Sequence, residues 1–280
     1  LECPGRSARG SIGSGRGLLR GLWAGSKRAE SKLLVILSIY IFERAKMVSF
    51  REYRSRFSIV AHRGASGYEP ENTLRSVRRA IEMGVDAVEV DVRLTADGHP
   101  VVIHDETVDR TTNGTGRVDE MMLDEIRSLD AGKGERVPLI EEVLNEVKGK
   151  VFLYIELKVV EAALPVLERV LERDMLDEVL FISFLPEALA RVKERASGAH
   201  IGLIYFKPPG LILEAKKMGA EAVLPFYKLA TEKAVAFAKR LKLHVTAWTV
   251  DEPELARELK ERGVDAVASN FPDKIIPVKD

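Results

Sequence analysis

The 280-residue chain has one cysteine, Cys3, and that scarcity excludes most of what thiol chemistry could supply. No disulfide framework can form, no zinc cluster can be built on thiolates, and a nucleophile so close to one end is a poor candidate for catalysis. Few thiols fit a reducing compartment, and a cytoplasmic location is expected. Aromatic residues make up only 6% of the chain, so a core must be built from Leu, Val, Ile and Ala. Net charge is absent too: 43 basic residues balance 43 acidic ones. No overall field therefore draws the chain to nucleic acid or to an anionic membrane. An apolar run long enough to span a bilayer, about 20 residues, is also missing. The run at 33–42 is too short and is interrupted by Ser38 and Tyr40. Neither a nucleic-acid partner nor stable membrane insertion is expected.

The balanced charge conceals an asymmetry. Residues 1–46 hold nine basic and three acidic residues, and the remainder holds 34 basic and 40 acidic. Residues 5–25 are rich in Gly, Ser and Arg and lack an apolar period. A signal peptide would account for basic residues followed by a short apolar run, but Glu43, Arg44 and Lys46 follow it and no small-residue cleavage site is evident. Residues 1–46 are expected to be an unstructured extension, or the product of an over-extended reading frame with Met47 as the true first residue. Residues 47–280 are expected to form one domain.

What is present is a rhythm of strands and helices. Eight apolar runs read as strands: 58–62, 87–92, 151–156, 179–183, 200–205, 222–225, 244–249 and 266–269. Helical periods lie between most of them; Leu74, Val77 and Ile81 share one face, as do Leu255 and Leu259. Asp251 before Pro253 reads as a helix cap. One phrase recurs three times, as Met83-Gly84-Val85-Asp86, Met218-Gly219-Ala220-Glu221 and Arg262-Gly263-Val264-Asp265. In each, a glycine suited to the left-handed end of a helix precedes an acidic residue that leads into the next strand. A repeated joint of this kind favours an α/β fold with a closed parallel sheet, a (β/α)8 TIM barrel, for which about 250 residues suffice. Nothing like a dinucleotide-binding glycine motif follows the first strand. Between the second and third strands, 101–104 reads as an extra strand, and 105–136 as a small insertion over the active-site end.

Chemistry-bearing residues fall at the strand C-termini, which converge on one mouth in a barrel. Glu89 and Asp91 are two apart on a strand and face the same way. Glu156 and Lys158 repeat the spacing, His62 ends the first strand with Arg63 behind it, His104 ends the extra strand, and Trp248 lies near the end of the run at 244–249. Three inward carboxylates are costly unless a cation neutralises them, and all-oxygen ligation suits a hard ion, Mg²⁺ or Ca²⁺, with Mn²⁺ as a further candidate. Arg63 and Lys158 can hold phosphate oxygens. Two histidines supply a base and an acid for phosphodiester hydrolysis. Taken singly these residues have plainer readings: Glu156 and Lys158 as a rim ion pair, Trp248 as core, each histidine as a satisfied polar group. His200 and His244, at strand starts, are assigned no chemistry.

The same residues carry a family resemblance. His62-Arg63-Gly64, Pro70-Glu71-Asn72-Thr73, Glu89-Val90-Asp91-Val92, His104-Asp105, Glu156-Leu157-Lys158 and Trp248-Thr249-Val250 resemble, in order and spacing, the signature of glycerophosphodiester phosphodiesterases. Asp109 to Gly116 is similar to the segment that opens that family's insertion. The resemblance spans about 58–273 and implies a TIM barrel that cleaves small-molecule glycerophosphodiesters to glycerol phosphate and an alcohol. It implies that Glu89, Asp91 and Glu156 bind the divalent ion, that His62 and His104 are acid and base, and that Arg63 and Lys158 hold phosphate. It further implies Glu71 as a hydrogen-bonding partner at the substrate site, and Phe184 and Trp248 as walls of the glycerol or alcohol pocket. Two alternatives stand beside it. One is a related phospholipase acting on lysophospholipid or phosphoinositide, which would need an apolar patch on the insertion or rim. The other is a non-catalytic phosphodiester-binding barrel, which the intact histidines and carboxylates argue against.

Overall fold

A computed structural model describes residues 49–208 and 210–279; the expected extension at 1–46, and Met47 as a first residue, lie outside them. The described strands are β1 (Ser58–Ala61), β2 (Ala87–Leu94), β3 (Pro100–Val102), β4 (Phe152–Leu157), β5 (Val179–Ser183), β6 (His200–Tyr205), β7 (Ala222–Pro225), β8 (His244–Ala247) and β9 (Ala266–Ser269). The helices are α1 (Phe50–Tyr53), α2 (Leu74–Met83), α3 (Leu123–Arg127), α4 (Ile140–Val147), α5 (Ala163–Leu171), α6 (Pro186–Arg195), α7 (Ile212–Lys217), α8 (Glu232–Arg240), α9 (Pro253–Glu261) and α10 (Pro272–Ile275). Eight strands pair in parallel around a ring that closes between β1 and β2, while β3 adds antiparallel to β2. This is the (β/α)8 barrel expected from the alternating pattern.

Side-chain alternation builds two concentric cores from each strand. On β4, Leu153, Ile155 and Leu157 pack outward against the helices, while Phe152 and Tyr154 fill the barrel interior. On β2, Val88, Val90 and Val92 face the helices, which leaves Ala87, Glu89 and Asp91 on the inner face. The strand thus reads as continuously buried although every second residue near its end is acidic. Helix α2 shows how the sequence sets the outer layer. Thr73 caps its start by accepting the Ser76 N–H, Val77 and Ala80 are fully buried, and Gly84 ends it at φ +82°.

The recurring glycine–acid joint has a physical reason. Gly84, Gly219 and Gly263 all adopt positive φ. The acid that follows each one then clamps the neighbouring strand: Asp86 accepts the Ile59 N–H at 2.9 Å, Glu221 the Ile201 N–H at 3.1 Å and Asp265 the Val245 N–H at 2.8 Å. At these same three places the acid's own N–H donates to the carbonyl of the same partner residue. Each joint therefore holds an adjacent strand at two points, at the N-terminal end of the barrel.

That end is plugged by α1. Tyr53 stacks on Phe152 with ring centroids 4.6 Å apart, Phe50 stacks on His200 at 4.4 Å, and Tyr154 donates its hydroxyl hydrogen to the Tyr53 oxygen at 3.0 Å. His244 is sealed beneath this plug. Among the described residues, no helix is long and apolar enough to cross a membrane.

Three local expectations differ from the structure. The extra strand stops at Val102, so His104 lies two residues beyond it, in the turn that enters the insertion. β8 ends at Ala247, and Trp248 makes only an isolated bridge to Phe226. Asp251 does not cap α9: the position before Pro253 is Glu252, which makes no capping bond. Asp251 instead accepts from Asn270 and Ser269.

Residues 103–138 form the insertion, and it has a core of its own. Val101, Ile103, Val108, Val118, Ile126, Ala131 and Val137 are buried together, separate from both barrel cores. A bridge between Thr107 and Arg117 closes its hairpin.

Candidate active site

The inward residues of β1, β2 and β4 meet at the C-terminal mouth because strand register aligns them. Asp91 lies opposite Glu156, and Glu89 opposite Tyr154. Carboxylate oxygens of Glu89, Asp91 and Glu156 lie within 4.8 Å of one another, and the three side chains are buried. Burial, together with the charges of Asp91 and Glu156, pushes the Glu89 carboxyl well above its usual pKa. Burial and Asp91 raise Glu156 to about 7, against the pull of Lys158. Burial acts on Asp91 as well, but Lys158 and Arg63 outweigh it and hold Asp91 below the usual carboxylate range. The cluster is short of positive charge, and one of its acceptors is idle: Glu89 Oε1 is buried with no hydrogen-bond partner. An orphaned carboxylate oxygen beside two further carboxylates is the donor set of a hard divalent cation. The residues present fit such an ion.

A tight turn after β1 brings the first cation in. Arg63 takes a left-handed φ of +55°, and Gly64 follows at +74°. A Cβ on Gly64 would meet Ser76 at 2.4 Å, so only glycine fits there. The turn aims the Arg63 N–H at Glu89 Oε2, 2.8 Å away, and its guanidinium at Asp91 and Glu71, with Nε 3.3 Å from Asp91 Oδ2 and Nη1 2.9 Å from Glu71 Oε1. Lys158 donates to Glu156 Oε1 at 2.6 Å and lies 3.4 Å from Asp91 Oδ1. Lys158 thus forms the rim ion pair with Glu156 and also lines the pocket.

Both histidines have assigned tautomers. His62 Nδ1 is 2.8 Å from Asn270 Oδ1. Asn270 cannot be reversed, because its amide nitrogen donates to Asp251 Oδ2 at 2.8 Å and a carboxylate can only accept. His62 Nδ1 therefore carries hydrogen. His104 Nδ1 lies 2.6 Å from Asp105 Oδ1 and donates for the same reason. Burial, then the Arg63 charge, lowers the His62 pKa, and burial lowers that of His104. The lowered values favour the neutral form of both rings, and Nε2 of each has no hydrogen-bond partner among the described residues.

These groups share one pocket, lined by His62, Arg63, Glu89, His104, Glu156 and Lys158 together with Phe184, Ile182, Ile204, Leu224 and Trp248. The Trp248 indole donates to the Leu224 carbonyl at 2.8 Å, and its ring meets Phe184 edge-on at 5.6 Å. Asp91 sits beneath the pocket at 1% exposure. Glu71 does not line it; both its oxygens accept from arginines, Arg63 and Arg110.

Sequence reasoning gave no role at the site to Asn72, Asp105, Arg110 or Asn270, and read Asp251 only as a helix cap. Asn72 adopts φ +57° and clamps Asp91 twice, its amide donating to Oδ2 at 2.9 Å and its oxygen accepting the Asp91 N–H at 3.2 Å. Most of these residues lay inside the recognised motifs. For Asn72, Asn270 and the Arg110–Glu71 pair the missing signal was partnership across long sequence separations, which no periodicity encodes.

Known proteins resemble this chain in sequence and in fold. A family model described as the glycerophosphoryl diester phosphodiesterase family matches residues 62–274. The glycerophosphodiester phosphodiesterase of Caldanaerobacter subterraneus subsp. tengcongensis is 39% identical over 234 residues, covering 78% of this chain and 96% of that protein. That of Bacillus subtilis is 32% identical over 262 residues, covering 80% of this chain and 87% of that protein. The structure of an Oleispira antarctica phosphodiesterase in complex with the product sn-glycerol-3-phosphate superposes with a TM-score of 0.76 at 30% identity, covering 79% of this chain and 96% of that one. The chain belongs to the glycerophosphoryl diester phosphodiesterase family, a family of enzymes.

Proposed function

We propose that the protein hydrolyses glycerophosphodiesters to glycerol phosphate and an alcohol, with a divalent ion held by Glu89, Asp91 and Glu156 and with His62 and His104 as acid and base. The observation that carries this reading is two imidazoles, each held through Nδ1, beside a buried, charge-deficient carboxylate cluster in one pocket. The Oleispira relative's complex with sn-glycerol-3-phosphate supports a glycerol phosphate product.

The chain's own residues have distinct tasks. Arg63 and Lys158 orient the phosphate and offset its charge. One histidine takes the proton of the attacking hydroxyl through Nε2, while Nδ1–H stays bonded to its fixed acceptor. The other enters as the imidazolium, its proton drawn from solvent water, and gives that proton to the departing alkoxide; the first histidine then returns its own to solvent. When bound, a divalent ion supplies Lewis-acid withdrawal of charge from the phosphate and lowers the pKa of a nearby hydroxyl. Phe184 and Trp248 form the apolar wall against which one alcohol substituent lies.

The test is a panel of glycerophosphocholine, glycerophosphoethanolamine and glycerophosphoglycerol crossed with Mg²⁺, Mn²⁺ and Ca²⁺, reading glycerol phosphate and free alcohol. His62→Ala and His104→Ala are each expected to lower turnover by about 10²-fold or more with the fold intact. Retained activity in either variant removes that histidine from the mechanism. The phospholipase reading draws on Phe206, 53% exposed and edge-on to Phe184 at 5.7 Å. Cleavage of lysophospholipid in vesicles in preference to the water-soluble diesters would favour it.

A further inference from the structure

One side chain of the insertion, that of Arg110, grips two carboxylates beside the site. Arg110 sits in the hairpin closed by Thr107 and Arg117, on a turn fixed by the Thr112 N–H donating to the Val108 carbonyl at 3.0 Å. Its guanidinium holds two carboxylates at once. Nε and Nη2 donate to Asp105 at 2.6 and 3.1 Å, and Nη1 and Nη2 donate to the two oxygens of Glu71 at 2.8 and 2.7 Å. Each carboxylate has a second partner. Asp105 accepts from His104 Nδ1 at 2.6 Å, and Glu71 accepts from Arg63 Nη1 at 2.9 Å.

Two chains therefore leave one guanidinium, one ending on an imidazole and the other on the arginine that faces the pocket. A carboxylate held through one oxygen can swing about its terminal torsion, whereas one with both oxygens in a planar fork cannot. Asp105 and Glu71 come from different segments, the entry to the insertion and the connection after β1. Arg110 ties them together.

We propose that Arg110 is a positioning residue: by gripping Asp105 and Glu71 together, it sets the orientation of His104 and the aim of Arg63. The inference rests on the function proposed above. Arg110 is itself 48% exposed, and exposed ion pairs add little to global stability. A role in positioning and a role in stability therefore separate cleanly in an experiment.

The test uses the full chain with Arg110→Met, Arg110→Lys and Arg110→Ala. The control is Arg117→Met, which removes an insertion arginine paired only with surface acids. Steady-state kinetics on glycerophosphocholine, melting temperature and ¹⁵N spectra of the five imidazoles are recorded for each. Arg110→Met is expected to lower kcat by about 10²-fold, the cost of a misplaced catalytic group. KM should rise as well, through Arg63, while the melting temperature stays within about 2 °C.

Arg110→Lys should remain impaired, because it keeps the charge and loses the fork. Added methylguanidinium should restore part of the activity of Arg110→Ala, and Arg117→Met should match wild type. A kcat within twofold of wild type in Arg110→Met overturns the proposal. So does a fully active Arg110→Lys, or a kcat loss that follows a fallen melting temperature and is not rescued. If wild type itself turns over no diester, the functional reading fails and the spectra decide: His104 as a single Nδ1–H tautomer in wild type and a mixture in Arg110→Met supports positioning, and identical spectra overturn it.

Discussion

At the scale of single residues, the site is defined by what each polar atom lacks or has. Glu89 is held by one backbone N–H on Oε2 and by nothing on Oε1. Its charged form is disfavoured by burial and by its two acidic neighbours until a cation arrives. Glu89→Gln keeps the shape and removes the charge. The ion-free variant is therefore expected to melt at or above the wild-type temperature, and its response to added divalent ion should shrink. A tenfold loss of ion affinity corresponds to about 1.4 kcal/mol less stabilisation at saturating ion. Thermal melts across an ion titration check this, and an unchanged ion response would remove Glu89 from the ligand set. That Glu89 and Asp91 face the same way was readable because strand spacing alone puts residues 89 and 91 on one face. Asn270 was not: its partner His62 lies 208 residues away in sequence, and only the closed ring brings them together.

Elements show the same division between local and distant causes. The spans of β5, β6, β7 and β9 were legible residue for residue, because each is a short apolar run bounded by turns and buried on both faces. The overrun of β8 into Trp248 and Thr249 had no local signal, since both residues have good strand propensity. Asp251 looked like a helix cap, and only the structure shows it turned toward Asn270. The insertion is the element whose packing stands apart. Ile126 is fully buried within that small core. Ile126→Ala is expected to cost about 2–5 kcal/mol locally. Hydrogen exchange should quicken across 105–136 while β4 to β6 keep their protection, as local opening without global unfolding requires. Equal acceleration in the barrel strands would show that the two cores unfold as one.

For the whole molecule, the barrel separates function from stability along its axis. Glu89, Asp91, Glu156, His62, His104, Arg63 and Lys158 gather at the C-terminal mouth, whereas the acidic joints and the α1 plug secure the other end. His244 belongs to that second set. It is 1% exposed, has an unpartnered Nδ1, and burial lowers its pKa to about 4. The unfolded chain, with an ordinary imidazole near 6.5, binds a proton that the folded chain refuses. The resulting stability is complete above about pH 6.5 and is lost as pH falls through about 4, roughly 3 kcal/mol over that window. Urea denaturation of wild type and His244→Gln at pH 7.5 and 4.5 tests this. The variant should lose less stability than wild type between the two values, and equal losses would assign the acid sensitivity elsewhere.

The insertion's private core has a practical corollary. An insertion packed around its own buried cluster is expected to be exchangeable between related barrels with little change to the host's packing. Such chimaeras would succeed or fail at the neck, according to whether the donor insertion presents a guanidinium where this one presents Arg110.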